Sequence, residues 1–391
     1  MSTNQESYLI YQCPICGNTD IHSIGYLKGK PYCRKCISFK GEEVEQKPSY
    51  PKKAPINLSY DLSPEQKELS NKLVENYKKG IDSLVFAVCG SGKTEISLQV
   101  IQYAINCGEK VAFAVPRRDV AIELHNRLKD IFTKNTVICV YGGHHKIVEG
   151  DLIVLTTHQL YRYTNYFSLI VLDEIDAFPF KNNEVLEHMF YKALCGHYIM
   201  MSATPGKETI KHFSGKDKSI LRLDIRFHRH PLPVPKIYVG NKIMMLYKLS
   251  SLTREFLKAN KPLFIFAPTI EKCEYLYNVL KFVFKDGNYV HSKRENRTEI
   301  INDFRNGKYK YLVTTSVLER GVTLSNLQVI VFEAEHSVYD KGTLVQISGR
   351  VGRKMNAPTG EVYFIAKKKT NDMVEAIKDI EKSNDELKKH T

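Results

Sequence analysis

The sequence has 391 residues, of which 43% are hydrophobic, and this length predicts two or three domains. No apolar run approaches the roughly 18–20 residues that span a bilayer, and residues 1–11 lack the basic and apolar regions of a secretory signal, so we expect a cytoplasmic protein. The formal net charge of +14 favours a polyanionic partner such as nucleic acid, because phosphates release counterions when Lys and Arg bind them.

Four of the nine cysteines form two Cys-x-x-Cys pairs near the start of the chain. Cys13 and Cys16 make the first pair, and Cys33 and Cys36 make the second after sixteen intervening residues. This spacing is typical of a four-thiolate zinc ribbon, whose metal replaces the apolar core that so short a segment cannot build. Unmetallated pairs and an iron–sulfur cluster are the alternatives. We predict a zinc module over residues 1–40.

The five scattered cysteines fit a reducing compartment better than a disulfide framework.

Residues 41–60 contain three prolines and many charges. This composition is typical of a linker. We therefore expect the zinc module to fold apart from the rest of the chain.

From Leu62 onward, apolar strand-like runs alternate with segments of helical length, such as Thr94–Asn106 and Arg118–Phe132. This alternation predicts parallel, doubly wound sheets and an α/β fold. We predict a first lobe over 61–205, a basic hinge over 206–235 and a second lobe over 236–391. The segment from Gly206 to Lys261 contains thirteen Lys and Arg residues but only four acidic residues, and this surplus of positive charge predicts a local basic patch. The predicted strands are Leu84–Val88, Lys110–Val115, Thr136–Val140, Leu152–Thr156, Leu169–Leu172 and His197–Met201, then Leu263–Phe266, Gly287–His291, Tyr311–Thr314, Val329–Glu333 and Gly360–Ile365.

A phosphate-binding loop is predicted at residues 87–94, Ala-Val-Cys-Gly-Ser-Gly-Lys-Thr, between a strand and a helix. Small residues let successive backbone N–H groups wrap phosphates, and the helix N-terminus adds its positive dipole end. Lys93 is expected to reach the β- and γ-phosphates of ATP, and Thr94 to bind Mg²⁺. A chance glycine turn is the alternative. The loop residues assigned to the nucleotide are Cys89, Gly90, Ser91, Gly92, Lys93 and Thr94.

Residues 173–176, Asp-Glu-Ile-Asp, follow the apolar strand directly. A carboxylate at the end of a buried strand suits a Mg²⁺ ligand opposite Thr94, which we assign to Asp173. Its neighbour Glu174 is expected to polarise the attacking water. A solvated acidic loop is the alternative, although the upstream phosphate loop favours catalysis.

Three motifs resemble those of superfamily 2 helicases: Asp-Glu-Ile-Asp, Ser-Ala-Thr-Pro at 202–205, and Gln-Ile-Ser-Gly-Arg-Val-Gly-Arg at 346–353. The resemblance implies two RecA-like lobes and an ATPase in which Arg353, with Arg350 beside it, stabilises charge on the γ-phosphate. It assigns Ser202, Thr204 and Gln346 to coupling, and Gly321 to the nucleotide. Gln66 stands where the family places an adenine-reading glutamine. A helix N-cap over Ser63–Glu65 is the other interpretation there, and the two are compatible.

The cysteine module before two motor lobes narrows the resemblance further. Together with Asp-Glu-Ile-Asp-Ala-Phe-Pro at 173–179, Thr-Thr-His-Gln-Leu at 156–160 and the segment 314–323, it resembles the ComFA family. These late-competence ATPases help draw transforming single-stranded DNA into Gram-positive bacteria. Gln346 and Thr323 depart from the DEAD-box RNA helicase pattern, which favours single-stranded DNA over RNA.

The resemblance also implies partners and nucleic-acid contacts. Implied partners are single-stranded DNA, a phosphoribosyltransferase-like ComF protein, the uptake channel and a recombination mediator, with peripheral association at the inner membrane face as an alternative location. Competing functions are a repair, replication-restart or RNA helicase, and a nucleotide-gated scaffold. Hydroxyls and backbone amides suit contacts to sugar and phosphate that carry no sequence information. The implied DNA-binding residues are Arg117, Arg118, Thr156, Thr157, His158, Thr269, His291, Ser292, Thr314 and Thr315.

Overall fold

The computed structural model describes residues 11–39, 41–88, 90–144, 146–223, 226, 229–318 and 324–389. The chain divides into two compact units. The first unit comprises Met1–Val85 and Thr94–Leu221, and the second comprises Phe86–Lys93 and Arg222–Thr391. The phosphate loop therefore groups with the second unit.

The cysteine module is built on a two-stranded antiparallel hairpin. Its strands are β1 (Ile24–Leu27) and β2 (Lys30–Cys33), flanked by short 3-10 helices at Ile21–Ser23 and Arg34–Cys36. All four cysteines are buried in the apolar cluster of the first unit. Gly17 has a φ of +66°, and a Cβ there would lie 2.4 Å from the ring of His188. Glycine is required because the backbone itself packs against that ring.

Residues 41–57, which form most of the predicted linker 41–60, lie along the first unit. The Val44 N–H donates to the Arg162 carbonyl at 2.7 Å, and the Asn57 N–H donates to the Ile131 carbonyl at 3.0 Å. Lys52 pairs with Asp151 at 2.7 Å. These contacts hold the segment against the first unit at several points. It is therefore an ordered connection between the cysteine module and the first helix.

The first large sheet has seven strands. They are β3 (Asp82–Ala87), β4 (Val111–Val115), β5 (Val137–Val140), β6 (Leu152–Thr156), β7 (Phe167–Leu172), β8 (Leu194–Ser202) and β9 (Lys218–Leu223). Their spatial order is β5-β6-β4-β7-β8-β3-β9, with β5, β6, β4, β7 and β8 paired in parallel. The helices of this part are α1 (Pro64–Lys78), α2 (Lys93–Asn106), α3 (Arg118–Ile131), α4 (Glu184–Ala193) and α5 (Lys207–His212), with a 3-10 helix at Thr157–Arg162.

The second sheet has six strands, and all of its adjacent pairs are parallel. In chain order they are β10 (Lys236–Val239), β11 (Leu263–Phe266), β12 (Gly287–Val290), β13 (Tyr311–Thr314), β14 (Gln328–Phe332) and β15 (Val362–Ala366), arranged β10-β15-β14-β11-β13-β12. The helices are α6 (Lys242–Lys258), α7 (Ile270–Lys281), α8 (Arg297–Arg305), α9 (Lys341–Ser348) and α10 (Asn371–Lys389), with a 3-10 helix at Ser316–Leu318.

Side-chain alternation explains why the strands of the second sheet read as continuous apolar runs. Phe264 and Phe266 belong to one apolar cluster, whereas Leu263 and Ile265 belong to another. Successive side chains of a strand point to opposite faces, so both faces of this sheet are buried under helices.

The predicted fold class is confirmed: two RecA-like α/β lobes follow an N-terminal cysteine cluster. In the two large sheets the structure adds two strands that the apolar runs did not predict, β9 and β10. Both lie at sheet edges and are only partly buried, so they carry polar residues that hide the strand pattern. Among the described residues, none of the helices combines the length and apolarity needed to cross a bilayer.

Candidate functional site

The phosphate loop connects β3 to α2. Gly90 and Gly92 have φ values of +85° and +86°, a conformation that favours glycine. The Ser91 N–H donates to the Val88 carbonyl at 3.2 Å, and α2 begins at Lys93. Alternating backbone conformations of this kind form concave anion sites. Cys89 lies outside the described residues.

A buried carboxylate follows the loop on α2. Glu95 accepts a hydrogen bond from the Tyr60 hydroxyl at 2.7 Å and forms an ion pair with Arg127. The Ser97 hydroxyl donates to the Thr94 carbonyl at 2.7 Å. These contacts fix the first turn of α2, which carries Thr94.

The predicted acidic residues follow β7. The Asp173 N–H donates to the Ala114 carbonyl at 3.0 Å, which fixes the start of this turn. The Glu174 N–H donates to Asp173 Oδ1 at 2.8 Å, and Glu174 has a φ of +58°. A non-glycine residue in this region is uncommon, and such residues are enriched at functional sites. Both carboxylates are half-buried at the carboxyl end of the strand.

Asp176 joins the acidic segment to the predicted coupling motif. Its Oδ1 accepts from the Ser202 hydroxyl at 2.9 Å, and its Oδ2 accepts from the Thr204 hydroxyl at 2.9 Å. The Thr204 N–H also donates to Ser202 Oγ at 3.0 Å. The structure therefore brings the acidic segment and Ser-Ala-Thr into one hydrogen-bonded unit.

Gln66 is buried at the start of α1. It forms a capping box with Ser63: the Ser63 N–H donates to Gln66 Oε1 at 3.0 Å, and the Gln66 N–H donates to Ser63 Oγ at 3.3 Å. This geometry confirms the N-cap interpretation. The adenine contact of Gln66 stays a prediction.

The final motif spans the end of α9 and the following turn. Gln346 is buried, and Arg350 is only 1% exposed. Arg353 is more exposed, and its Nε donates to the Gly349 carbonyl at 2.8 Å. Of the two predicted arginine fingers, Arg353 is the one with its side chain at the surface of the second lobe. Gly321 lies outside the described residues.

The DNA-binding residues predicted in the first lobe differ in exposure. Arg118 lies over the Tyr141 ring, 4.8 Å from its centroid, and Arg117 precedes α3. Thr156 and Thr157 are buried, so a nucleic-acid contact at these two threonines would come from the backbone. Burial lowers the pKa of His158 below its ordinary value.

The DNA-binding residues predicted in the second lobe lie at strand ends. Thr269 caps α7, accepting the Lys272 N–H at 3.2 Å. His291 is buried, and its Nε2 lies 3.1 Å from Glu274 Oε1. Thr314 is also buried, whereas Thr315 is partly exposed and Ser292 is exposed. The exposed hydroxyls of Thr269 and Ser292 are therefore the most accessible of this set.

The four cysteines form a compact ligand set. Their Sγ atoms all lie within 4.8 Å of one another, with Cys13 and Cys36 at 3.3 Å and Cys16 and Cys33 at 3.6 Å. Tetrahedral zinc with Zn–S bonds of about 2.3 Å places its sulfurs about 3.8 Å apart. The residues therefore fit a four-thiolate metal site.

Three residues that contact the predicted motifs escaped the sequence prediction. Asp176 lies inside the acidic motif. The two hydroxyl residues of Ser-Ala-Thr were the sequence feature that could have indicated a carboxylate acceptor such as Asp176. Glu95 follows the phosphate loop, but its partner Arg127 is distant in sequence. Arg226, described below, lies in a segment rich in basic residues, where nothing local distinguishes it.

Comparisons with known proteins agree with this arrangement. Residues 63–213 match the DEAD/DEAH box helicase family, and residues 242–355 match the helicase conserved C-terminal domain. Competence protein ComFA of Bacillus subtilis is 35% identical, with 96% of this chain and 86% of that protein covered. Competence protein ComFA of Streptococcus pneumoniae is 34% identical, with 96% and 90% covered.

Among solved structures, S. cerevisiae Dbp5 bound to RNA and ADP BeF3 is similar, with a TM-score of 0.61 and 19% identity. The alignment covers 83% of this chain and 92% of Dbp5. At this identity the similarity shows the fold alone. The two helicase families matched in sequence confirm the predicted ATP-hydrolysing enzyme.

Proposed function

The chain belongs to the ComFA family, and from this membership we propose that it is an ATP-driven single-stranded DNA translocase that serves the uptake of transforming DNA. The observation that carries the proposal is the sequence identity of 35% and 34% to two competence proteins over 96% of the chain. The experiment below must distinguish this function from two alternatives. They are a repair or RNA helicase and a nucleotide-gated scaffold.

Hydrolysis is assigned to residues of the phosphate loop, the acidic segment and the final motif. Lys93 binds the β- and γ-phosphates, and Glu174 orients the attacking water. Arg353, with Arg350 beside it, stabilises the charge that builds on the transferred phosphoryl group. The half-buried position of Glu174 and the surface position of the Arg353 side chain support these roles.

Coupling between hydrolysis and DNA movement is assigned to the Asp176 network. Asp176 is three residues from Asp173 and holds the hydroxyls of Ser202 and Thr204. A change around the γ-phosphate would therefore reach the segment after β8 through two short hydrogen bonds. Gln346, buried on α9, is the proposed coupling residue of the second lobe.

Two metals are proposed as cofactors. Thr94 and Asp173 would hold Mg²⁺, which neutralises phosphate charge during the reaction. Cys13, Cys16, Cys33 and Cys36 would hold Zn²⁺ in a structural site, since four buried thiolates leave no open coordination position.

Single-stranded DNA is the proposed substrate, and sequence-independent contacts suit it. The surplus of basic residues between 206 and 261 favours phosphate binding,, and exposed hydroxyls at Thr269 and Ser292 suit sugar and phosphate. Other competence proteins, namely a ComF-type phosphoribosyltransferase, the uptake channel and a recombination mediator, are the proposed protein partners. The proposed location is the cytoplasm, at or near the inner face of the membrane.

The decisive experiment measures ATPase turnover with single-stranded DNA, duplex DNA and RNA of equal length. We expect the largest stimulation from single-stranded DNA. The apparent affinity of the protein for single-stranded DNA should fall as the salt concentration rises. The logarithm of the binding constant should decrease with the logarithm of the salt concentration, with a slope of about 0.7 per neutralised phosphate. Lys93→Ala is the reference without hydrolysis, because the ammonium of this lysine is assigned to the β- and γ-phosphates.

Three outcomes would contradict the proposal. Stimulation by RNA equal to or above that by single-stranded DNA would favour an RNA helicase. Stimulated turnover without movement of a streptavidin block along the strand would favour a nucleotide-gated scaffold. Wild-type turnover in Lys93→Ala would remove the phosphate loop from the site.

A further inference from the structure

Arg226 is a buried arginine just after β9, only 2% exposed. Its Nη1 donates to the carbonyls of Val351 at 3.0 Å and Gly352 at 2.9 Å, and its Nη2 donates to the Gly349 carbonyl at 3.2 Å. All three acceptors belong to the final motif, about 125 residues later in the chain. One side chain therefore holds the backbone of that motif at three points.

Arg226 shares one of these acceptors with Arg353. The Gly349 carbonyl accepts from Arg353 Nε at 2.8 Å as well as from Arg226 Nη2. Gly352, which immediately precedes Arg353, has a φ of +68°, and a Cβ there would lie 2.2 Å from the Pro358 carbonyl oxygen. The turn that carries Arg353 is thus shaped by tight backbone packing, and Arg226 bonds to both of its ends.

Arg226 also borders the phosphate loop. A Cβ built on Gly90 would lie 3.7 Å from Arg226 Nε and 3.9 Å from its Cδ. The Val88 N–H donates to the Leu223 carbonyl at 3.1 Å, close before Arg226 in the chain. The arginine stem thus lies against the phosphate loop, while its guanidinium bonds to the final motif.

We propose that Arg226 is a positioning residue that sets the geometry of Arg353 and links the final motif to the phosphate loop. A guanidinium suits this role because its rigid fork presents five donors, enough for several carbonyls at once. A lysine offers a single compact ammonium and cannot reproduce the fork. The inference rests on the proposed role of Arg353 in hydrolysis.

The test compares Arg226→Ala, Arg226→Lys and Arg353→Ala with the double variant Arg226→Ala/Arg353→Ala. Turnover at saturating ATP and DNA, KM for ATP, affinity for a fluorescent ATP analogue and melting temperature are measured for each. Arg305→Lys is the matched control, since Arg305 is exposed at the end of α8 and lies outside the basic segment 206–261.

We expect Arg226→Ala to lower kcat on the order of 10-fold or more, because small misplacements of catalytic groups cost up to about 10²-fold. ATP affinity should change less than about 3-fold. Arg226→Lys should recover part of the loss, and Arg305→Lys should match the wild type. The double variant should equal Arg353→Ala within about 2-fold, because residues that act as a unit are not additive.

Additive losses in the double variant would overturn the inference, because Arg226 would then act independently of Arg353. A lowered melting temperature with unchanged kcat of the folded protein would assign Arg226 a purely structural role. If Arg226→Ala does not fold, Arg226→Lys carries the same comparison. Wild-type turnover in Arg353→Ala would instead refute the role assigned to Arg353 under the proposed function.

Discussion

Phe39 of the cysteine module stacks on His158 of the 3-10 helix after β6, with ring centroids 5.9 Å apart and planes inclined by 28°. Phe39 also contacts the ring of Tyr161, with centroids 5.7 Å apart. Since Thr157 and His158 are predicted nucleic-acid residues, the cysteine module packs on the segment through which the first lobe is proposed to meet DNA.

Replacing Phe39 by alanine should raise the pKa of His158 toward about 6.5, the value of an exposed histidine, because burial is what lowers this pKa. NMR titration of the His158 ring protons measures the change. Tyr26→Ala, at an exposed position of β1, is the control. An unchanged pKa would show that Phe39 does not shield the ring.

The same shift predicts how stability depends on pH. The unfolded chain takes up a proton at His158 below about pH 6.5, while the folded chain resists it until a lower pH. His158 should therefore contribute a loss of stability as pH falls from about 6.5 toward its folded pKa. Urea unfolding between pH 7.5 and 5.5 should show a smaller loss in Phe39→Ala than in the wild type.

Replacing Cys33 by serine should release about one zinc per chain and loosen residues 11–39. Because the cysteines share an apolar cluster with Leu160 and Tyr161, hydrogen exchange should also rise over Thr157–Arg162 and leave α2 unchanged. Basal ATPase should be largely retained. Cys195→Ser, at an exposed thiol, is the control.

Two results would contradict this prediction. Elemental analysis that finds no zinc, or finds iron with visible absorption, would refute the zinc site. Exchange that rises only within residues 11–39 would show that the module does not support the 3-10 helix.

Replacing Asp176 by alanine should weaken the stimulation of ATP hydrolysis by DNA, because the hydroxyls of Ser202 and Thr204 lose their shared acceptor. Ser202 is fully buried, so the unfolding free energy should fall by about 1–3 kcal/mol. DNA-stimulated turnover should fall more than basal turnover. Asp176→Asn, which keeps one acceptor oxygen, should lie between, and Asp130→Ala on the exposed face of α3 is the control. Equal loss of both activities would argue against a coupling role.

Glu174→Gln should bind ATP and hydrolyse it on the order of 10²-fold more slowly, since an amide cannot accept a proton from the attacking water. Single-turnover hydrolysis and nucleotide affinity together measure this. Glu187→Gln, exposed on α4, is the control. If Glu174→Gln instead lost Mg²⁺ binding, Glu174 would be the Mg²⁺ ligand and Asp173 would be the residue that acts on the attacking water.

The fold could be predicted where local sequence determines the structure. Parallel strands buried on both faces read as apolar runs, so β4, β6, β7, β11 and β14 were recognisable. The phosphate loop and the acidic segment are contiguous, and their chemistry requires residue types that are visible without any tertiary information.

The rest depends on contacts between distant residues. Residues 41–60 look like a linker in the sequence because the partners of this segment, such as Asp151 and Arg162, lie about a hundred residues away. Arg226 differs from its exposed neighbour Arg222 by its burial and by its hydrogen bonds to carbonyls of the final motif. Composition cannot distinguish a buried arginine from a solvated one, so neither feature could be predicted from the sequence.

The link between Leu232 and Asn384 constrains the order of events during synthesis. The Leu232 N–H donates to Asn384 Oδ1 at 2.7 Å, and Asn384 Nδ2 donates back to the Leu232 carbonyl at 2.9 Å. The two residues are 152 positions apart, so this backbone site gains its partner only when the end of α10 leaves the ribosome. Until then the nascent chain carries Leu232 without it, and ribosome-bound chains that end before Asn384 should remain protease-sensitive around Leu232.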